Sequence, residues 1–536
     1  MISSFLCAVL STAPGGPPDW DARRAEHLLN RAGFGGTTED VARLVAMGQD
    51  AAIESLFPDP SKTPPPVVLG QANLPGDLVD PVEGLATIEN RRQGFVRLLP
   101  DLLATLNRFG DWWVDRMYNA DDPVRDQMTI FWHGHFVSSV KEVGNPYAII
   151  EQIRFLRTNA LGPFESLVRG IGRDGAMLRY LNNDTNVRAH ANENWARELM
   201  ELFSLGDGNY TEEDIKQSAR AFTGWSQESS RFVYHRLDHD FGQKTFLGVT
   251  GNFDGDHITD VILQQPACGR FVAGKIIAYF EGTPPDAARA EDYAAFLRAN
   301  RYDIGKMLKR LFHDPAFYRD EIVGNRVSAP IEYLVSSARR LGVRPPSQLV
   351  LGGGDMLAQK LFWPPSVKGW EGGATWVTTA SMMHRSNIVG TLLDVIDTGK
   401  LISEASARAD PSTMLDANPA AKPAGKPVRL PPAGTGLGQL GFIQLSGWKP
   451  DLALRKSLAA IAAKPTDAAI ASRMLENLLA IPASPESAAA VADFVKTQRE
   501  AAGLKEGDLA AGDERAEPVL RRTAHLILSL PEAQLN

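Results

Sequence analysis

Four segments of the sequence gather side chains that could ligate a metal, move a proton or stack a ligand. The first runs His190-Ala191-Asn192-Glu193-Asn194-Trp195-Ala196-Arg197-Glu198-Leu199-Met200-Glu201-Leu202-Phe203. At about 100° per residue, Trp195, Leu199, Leu202 and Phe203 share an apolar helix face, and Asn194, Glu198 and Glu201 line its flank. His190 joins that flank if the helix starts early enough, while Glu193 and Arg197 point further outward. A carboxylate at the margin of a buried face loses solvation, so it must pair, hold a cation or keep its proton more tightly. Two readings stay open. One is a metal site or general base built from carboxylate and imidazole. The other is an ion-pair network in which Arg197 neutralises the acids and Asn192 caps the helix. His-Glu-x-x-His is absent, so no standard zinc motif decides between them.

The second segment is Phe131-Trp132-His133-Gly134-His135-Phe136. Imidazoles two residues apart share a face on a strand but diverge on a helix. If Met128, Trp132 and His135 form the buried stripe, His133 turns elsewhere. Metal ligands in an aromatic shell and core histidines bonded to backbone both fit. The third segment places His239, Asp240 and Lys244 beside Gly242, as an active-site loop or as a turn held by Asp-to-backbone bonds. Downstream, Asp256 is expected to cap the helix that carries Ile258, Ile262 and Leu263. In the fourth, 362–376, Trp363, Trp370 and Trp376 sit among Pro and Gly. Such a rigid aromatic loop stacks a sugar or other flat ligand, or plugs a gap between helices.

Composition narrows the classes. The 536 residues are 44% hydrophobic and 22% charged, as in globular proteins. A net charge of -8 offers no electrostatic basis for binding nucleic acid. Two cysteines, Cys7 and Cys268, are too few for a disulfide framework or a thiolate zinc site. Any metal would be a divalent ion on His, Asp and Glu. No apolar run is long enough to predict a transmembrane helix. Gly352-Gly353-Gly354 lacks the spacing of a dinucleotide loop, and neither a phosphate loop nor a serine elbow occurs.

The elements that must position these segments are helices. A helix is expected from Asp21, stopping before Gly33; Thr37 and Asp40 form a capping box for the next, which Gly48 ends. Thr211 and Asp214 do the same for a helix burying Ile215, Ala219 and Phe222. Stretches 268–281, 303–312, 328–341 and 378–396 also carry the helical period. Residues 231–235 and 245–249 predict a β-hairpin with a long turn. The Pro-rich stretch 58–81 reads as a loop. The fold class is mainly α, a large multi-helix body with a small β-hairpin insert. Residues 1–20 form a weak export signal or an unstructured start, 21–400 the main helical domain, 401–437 a Pro/Ala-rich linker, and 438–536 a helical segment packing back on the body.

Seven separated blocks, taken together, resemble the bacterial family called domain of unknown function 1800. They are His27-Leu28-Leu29-Asn30-Arg31-Ala32-Gly33-Phe34-Gly35, the His133 block, Glu193 to Leu202, Tyr210-Thr211-Glu212-Glu213-Asp214, Ala221-Phe222-Thr223-Gly224-Trp225, the block from His239 to Gly248, and 365–376. The resemblance implies bacterial origin, frequent export, and a neighbouring sulfatase-like family as partner; it supplies no catalytic residues. Export or a periplasmic location is therefore expected over the cytoplasm, although 5–13 lacks a preceding basic residue. From the residues, the leading expectation is a metal-assisted, hydrolase-like enzyme. Its metal would sit on His133, His135, Glu198, Glu201, His239 and Asp240, and Glu193, Arg197 and Lys244 would act on substrate beneath Trp370 and Trp376. The alternative is a non-catalytic exported binding or assembly protein with buried ion pairs.

Overall fold

The computed structural model describes residues 20–59, 88–228, 230–396, 448–452, 454, 458, 464–511 and 513–536. The expected export signal, nearly all of the Pro-rich loop and the linker fall outside the described residues. What is described is mainly helical, with two small two-stranded sheets. No helix among these residues is long and apolar enough to cross a membrane.

The start signals act as their chemistry dictates. Thr37 and Asp40 close a capping box on Thr38–Met47, and Thr211 and Asp214 close one on Glu212–Ala221. The helix Ala22–Ala32 is capped by Asp21. Two expectations are corrected. Gly255–Gln264 is capped by Asp254, in a box with His257, whereas Asp256 pairs with Arg169 and Arg173. The stretches 231–235 and 245–249 do not pair with each other. Arg231–Tyr234 pairs with Trp225–Glu228, and Lys244–Phe246 pairs with Val249–Gly251. The second hairpin turns on Leu247 and Gly248, both at positive φ (48° and 81°), which suits the right-handed twist of the flanking strands.

Two apolar cores share the molecule, and the helix Pro123–His135 lies on their seam. Val124, Met128 and Trp132 enter a core with Phe203, Phe222 and Ile276, while Ile130 enters one with Trp113, Leu334 and Ile388. The start of this helix is fixed by buried charge. Asp126 meets Arg157 at 2.8 Å and Arg116 at 3.3 Å, and Asp122 meets Arg125 at 2.7 Å. Removing one partner of such a set leaves a buried charge uncompensated, at a cost of about 3–5 kcal/mol. Gln127 on the next turn donates to the Gly33 carbonyl and to Glu332, and accepts from Tyr279 at 2.8 Å. Arg31, fully buried, donates to the carbonyls of Phe280 and Ile322 and to Asn325. The 27–35 block is thus tied by backbone and amide contacts to three distant segments.

Helices Asp467–Leu478, Pro485–Ala501 and Ala516–Leu528 complete the second core. The Tyr333 hydroxyl donates to the Leu528 carbonyl at 2.9 Å. Residues 534–536 lie against 326–328 through Ser328 N–H to Gln534 and Asn536 N–H to Arg326.

Candidate functional site

Helix geometry separates the two imidazoles, as a spacing of two requires. His133 faces one core, with its ring among Trp113, Phe362 and Trp370; His135 faces the other, among Phe131, Phe136 and Phe203. His133 Nε2 accepts from the Phe362 amide at 3.1 Å, so its proton sits on Nδ1. Burial pushes its pKa down to about 3. His135 Nε2 donates to the Phe203 carbonyl at 3.0 Å, which fixes the opposite tautomer. Burial first, then Lys275, holds its pKa well below the usual histidine range.

Gly134, between them, is where the tryptophan loop docks. A Cβ on Gly369 would stand 2.3 Å from the Gly134 carbonyl oxygen, and Gly369 has φ +78°. Gly369 therefore lets its backbone meet the Gly134 carbonyl, and Trp370 comes to rest edge-on to His133 at 5.3 Å. The second and fourth sequence segments are joined at this contact.

The first segment lies within electrostatic reach of this loop, through Glu198 and Lys368, but is not one continuous α-helix. Asn194–Glu198 is α-helical and Leu199–Ser204 is a π turn. The helix starts too late to include His190, which is exposed and bridges to Val187. Trp195, Leu199 and Phe203 are buried as expected, and Asn192 accepts from the Asn194 amide. Single π turns inside helices recur at functional sites, because they shift side chains off the regular phase.

The acids divide into two groups. Arg197 bridges Glu193 at 3.2 Å and Glu212 at 2.9 Å, tying this helix to the first turn of Glu212–Ala221. Glu198 and Glu201 have no ion-pair partner within 4 Å among the described residues. Glu198 is half-buried, and its pKa is raised by lost solvation first and by Glu201 second, with Arg197 and Lys368 opposing. Lys368 belongs to the tryptophan loop. Tyr180 and Tyr210 flank the pair. Both phenols are pushed up to about 12, mainly by burial, with Glu142 and Glu198 adding at Tyr180 and Glu201 at Tyr210. Tyr180, Tyr210 and Lys368 were not singled out from the sequence. The tyrosines carry no spacing signal, and Lys368 lay unremarked within the aromatic block.

The third segment stands apart. His239 Nδ1 bonds to the Thr223 carbonyl at 2.8 Å. Asp240 takes a two-pronged contact from Arg220 at 2.7 and 3.2 Å, which holds its carboxyl below the usual range, and it also accepts from the Gly242 amide. Lys244 donates to the carbonyls of Asp240 and Gly242, and burial lowers its pKa. These bonds make it a clamp on the end of Glu212–Ala221. The six-residue metal set is therefore not assembled. His133, His135 and His239 each commit a ring nitrogen to backbone, Asp240 is held by Arg220, and among the described residues no three His, Cys, Asp or Glu side chains group to hold a metal ion. Of the catalytic set, Glu193 and Arg197 pair with each other, and Lys244 lies in the clamp.

A family model described as protein of unknown function (DUF1800) matches residues 27–535, nearly the whole chain. The chain belongs to this family. No curated protein and no solved structure matches. The DUF1800 match takes in the π turn, the tryptophan loop and the C-terminal helices, so the site sits within family sequence throughout.

Proposed function

We propose that this DUF1800 protein is a hydrolase that works by carboxylate acid–base catalysis at Glu198 and Glu201, with the Trp370 loop as the wall that orients its substrate. The observation that carries the reading is the pair itself. It consists of two neighbouring carboxyls at a π turn, half-buried and without an ion pair, one of them biased towards its protonated form. A carboxyl whose proton affinity is raised by lost solvation suits a general acid, and a neighbouring carboxylate serves as base or nucleophile. Protonated Tyr180 and Tyr210 supply hydroxyl donors beside them, and Lys368 supplies positive charge for an anionic group.

The test is turnover of chromogenic glycosides, carboxylic esters, phosphate esters and sulfate esters by the purified chain, with E198Q and E201Q in parallel. One substrate class should turn over with a bell-shaped pH profile, and both variants should lose at least about a hundredfold while staying folded. No turnover of any class, together with variants that unfold, would favour a non-catalytic protein whose acids are structural. The ion pairs of Arg197 and Arg220 lend support to that alternative. Elemental analysis belongs beside it. A stoichiometric divalent ion, lost in folded E198Q, would replace plain acid–base chemistry by a metal-assisted mechanism.

A further inference from the structure

An α-helix matches every carbonyl with the amide four residues on, but a π turn closes one residue later and leaves carbonyls out of register. At 199–204 side chains meet carbonyls both of the turn and of its last residues, which any helix end leaves without an amide. The Leu199 carbonyl accepts from Ser204 Oγ at 2.5 Å, Leu202 from Lys275 Nζ at 3.2 Å and Phe203 from His135 Nε2 at 3.0 Å. The Met200 carbonyl takes both the Leu205 and the Gly206 amides, at 2.9 and 3.0 Å. His135 cannot swing away, because its ring is parallel to Phe131 and edge-on to Trp132 and Phe136. Lys275 is braced over the Phe271 ring at 4.8 Å.

We propose that His135, assisted by Ser204 and Lys275, is a positioning residue that holds the π turn open and so sets how Glu201 stands relative to Glu198. This inference rests on the acid–base reading of that pair. Phe203 lies in the last turn, where no following amide reaches its carbonyl. Without the His135 donor that buried carbonyl is left unpaired, the end of the π turn is no longer pinned, and relaxation to the four-residue register rotates Glu201 about the helix axis. His135 thus acts through backbone, from the side of the turn away from the carboxylates.

The test uses the full chain, with H135L, H135Q, S204A and K275M. A glutamine amide nitrogen reaches about where Nε2 stands, so H135Q keeps the donor and H135L removes it. Two readouts are taken. The first is the carboxyl titration of Glu198 by 13C NMR, assigned by its absence in E198Q; the second is hydrogen exchange of the Leu205 and Gly206 amides. The expected result is that H135L changes the proton affinity of Glu198 on the order of tenfold, a shift of about one pKa unit. It also speeds exchange of both amides, and H135Q restores each. If H135L does not fold, S204A and K275M should move the same two readouts in the same direction. A raised Glu198 that titrates identically in folded H135L, or a change that H135Q fails to rescue, overturns the proposal. Ordinary titration of Glu198 in the unaltered protein sinks the acid–base reading instead, and amide exchange then still decides whether His135 holds the turn.

Discussion

Substituting Gly369 by Ala should lift the tryptophan loop off the helix Pro123–His135, whereas Gly134→Ala should leave it docked. The added methyl of G369A meets a carbonyl oxygen at 2.3 Å, and backbone on both sides leaves nothing flexible to yield. Its φ of +78° adds the left-handed penalty of about 1–2 kcal/mol for a non-glycine residue. Opposing this are the edge-on contact of Trp370 with His133, about 0.5–1.5 kcal/mol, and partial burial of the indole, below the roughly 1.5–3 kcal/mol of a fully buried side chain. The clash and the φ penalty together match or exceed what docking supplies. A local change of about 3 kcal/mol shifts the docked-to-undocked ratio on the order of a hundredfold. The G134A methyl finds only the Trp370 ring at 3.6 Å, an ordinary contact. Acrylamide quenching of Trp370, isolated by difference against W370F, reads the population directly. G369A should expose the indole and G134A should not. Equal protection in G369A and the unaltered protein would refute the claim that the close backbone approach of Gly369 seats the loop.

Other consequences follow from buried protonation. Folded His133, with its pKa near 3, binds fewer protons than the unfolded chain, so it contributes stability above the ordinary histidine pKa and loses it as pH falls from about 6.5 towards 3. H133Q should flatten the acid limb of a pH-resolved thermal melt, and an unchanged limb would count against this account. Asp174 has the opposite sign. Burial raises its carboxyl to about 7, so its contribution is full below the ordinary carboxylate pKa and fades as pH rises through 7. D174N keeps an oxygen for the Met177 amide and should raise stability above pH 7 by on the order of 1–2 kcal/mol, with little effect near pH 4. E198Q, which removes a raised carboxyl next to a second one, should also raise Tm at neutral pH; a fall would contradict the placement of Glu198. R197M should cost less than about 1 kcal/mol in chemical denaturation, because its pairs are solvent-screened.

The sequence announced most of the helices because their termini are local chemistry. Thr37 with Asp40 and Thr211 with Asp214 need only four residues to declare a start. Strand pairing was less legible: Arg231–Tyr234 pairs back with Trp225–Glu228, and Lys244–Phe246 pairs forward across the short Leu247-Gly248 turn, so each strand's partner is its nearer neighbour and not the one across 235–243. At the site, the divergence of His133 and His135 followed from helical phase. The π turn did not, because 194–203 fits an unbroken helix and the side chains that bond its carbonyls, His135 and Lys275, are 68 and 73 residues away from them. Likewise Asp240 looked available to a metal until Arg220, on the preceding helix, claimed both its oxygens.

The seam between 326–328 and 534–536 bears on how the chain reaches this state. Arg326 and Asn536 are joined side chain to side chain across 210 residues, and Arg385 spans the same seam by holding the Ser328 carbonyl and Gln534. During synthesis the first half of that contact emerges long before its partner, and buried Arg385 must wait with part of its hydrogen bonding unmet. Closure of so long a loop is slow relative to the helices it encloses. Until it closes, the second core has an open side, and a chaperone would meet helices already formed beside one unsealed edge.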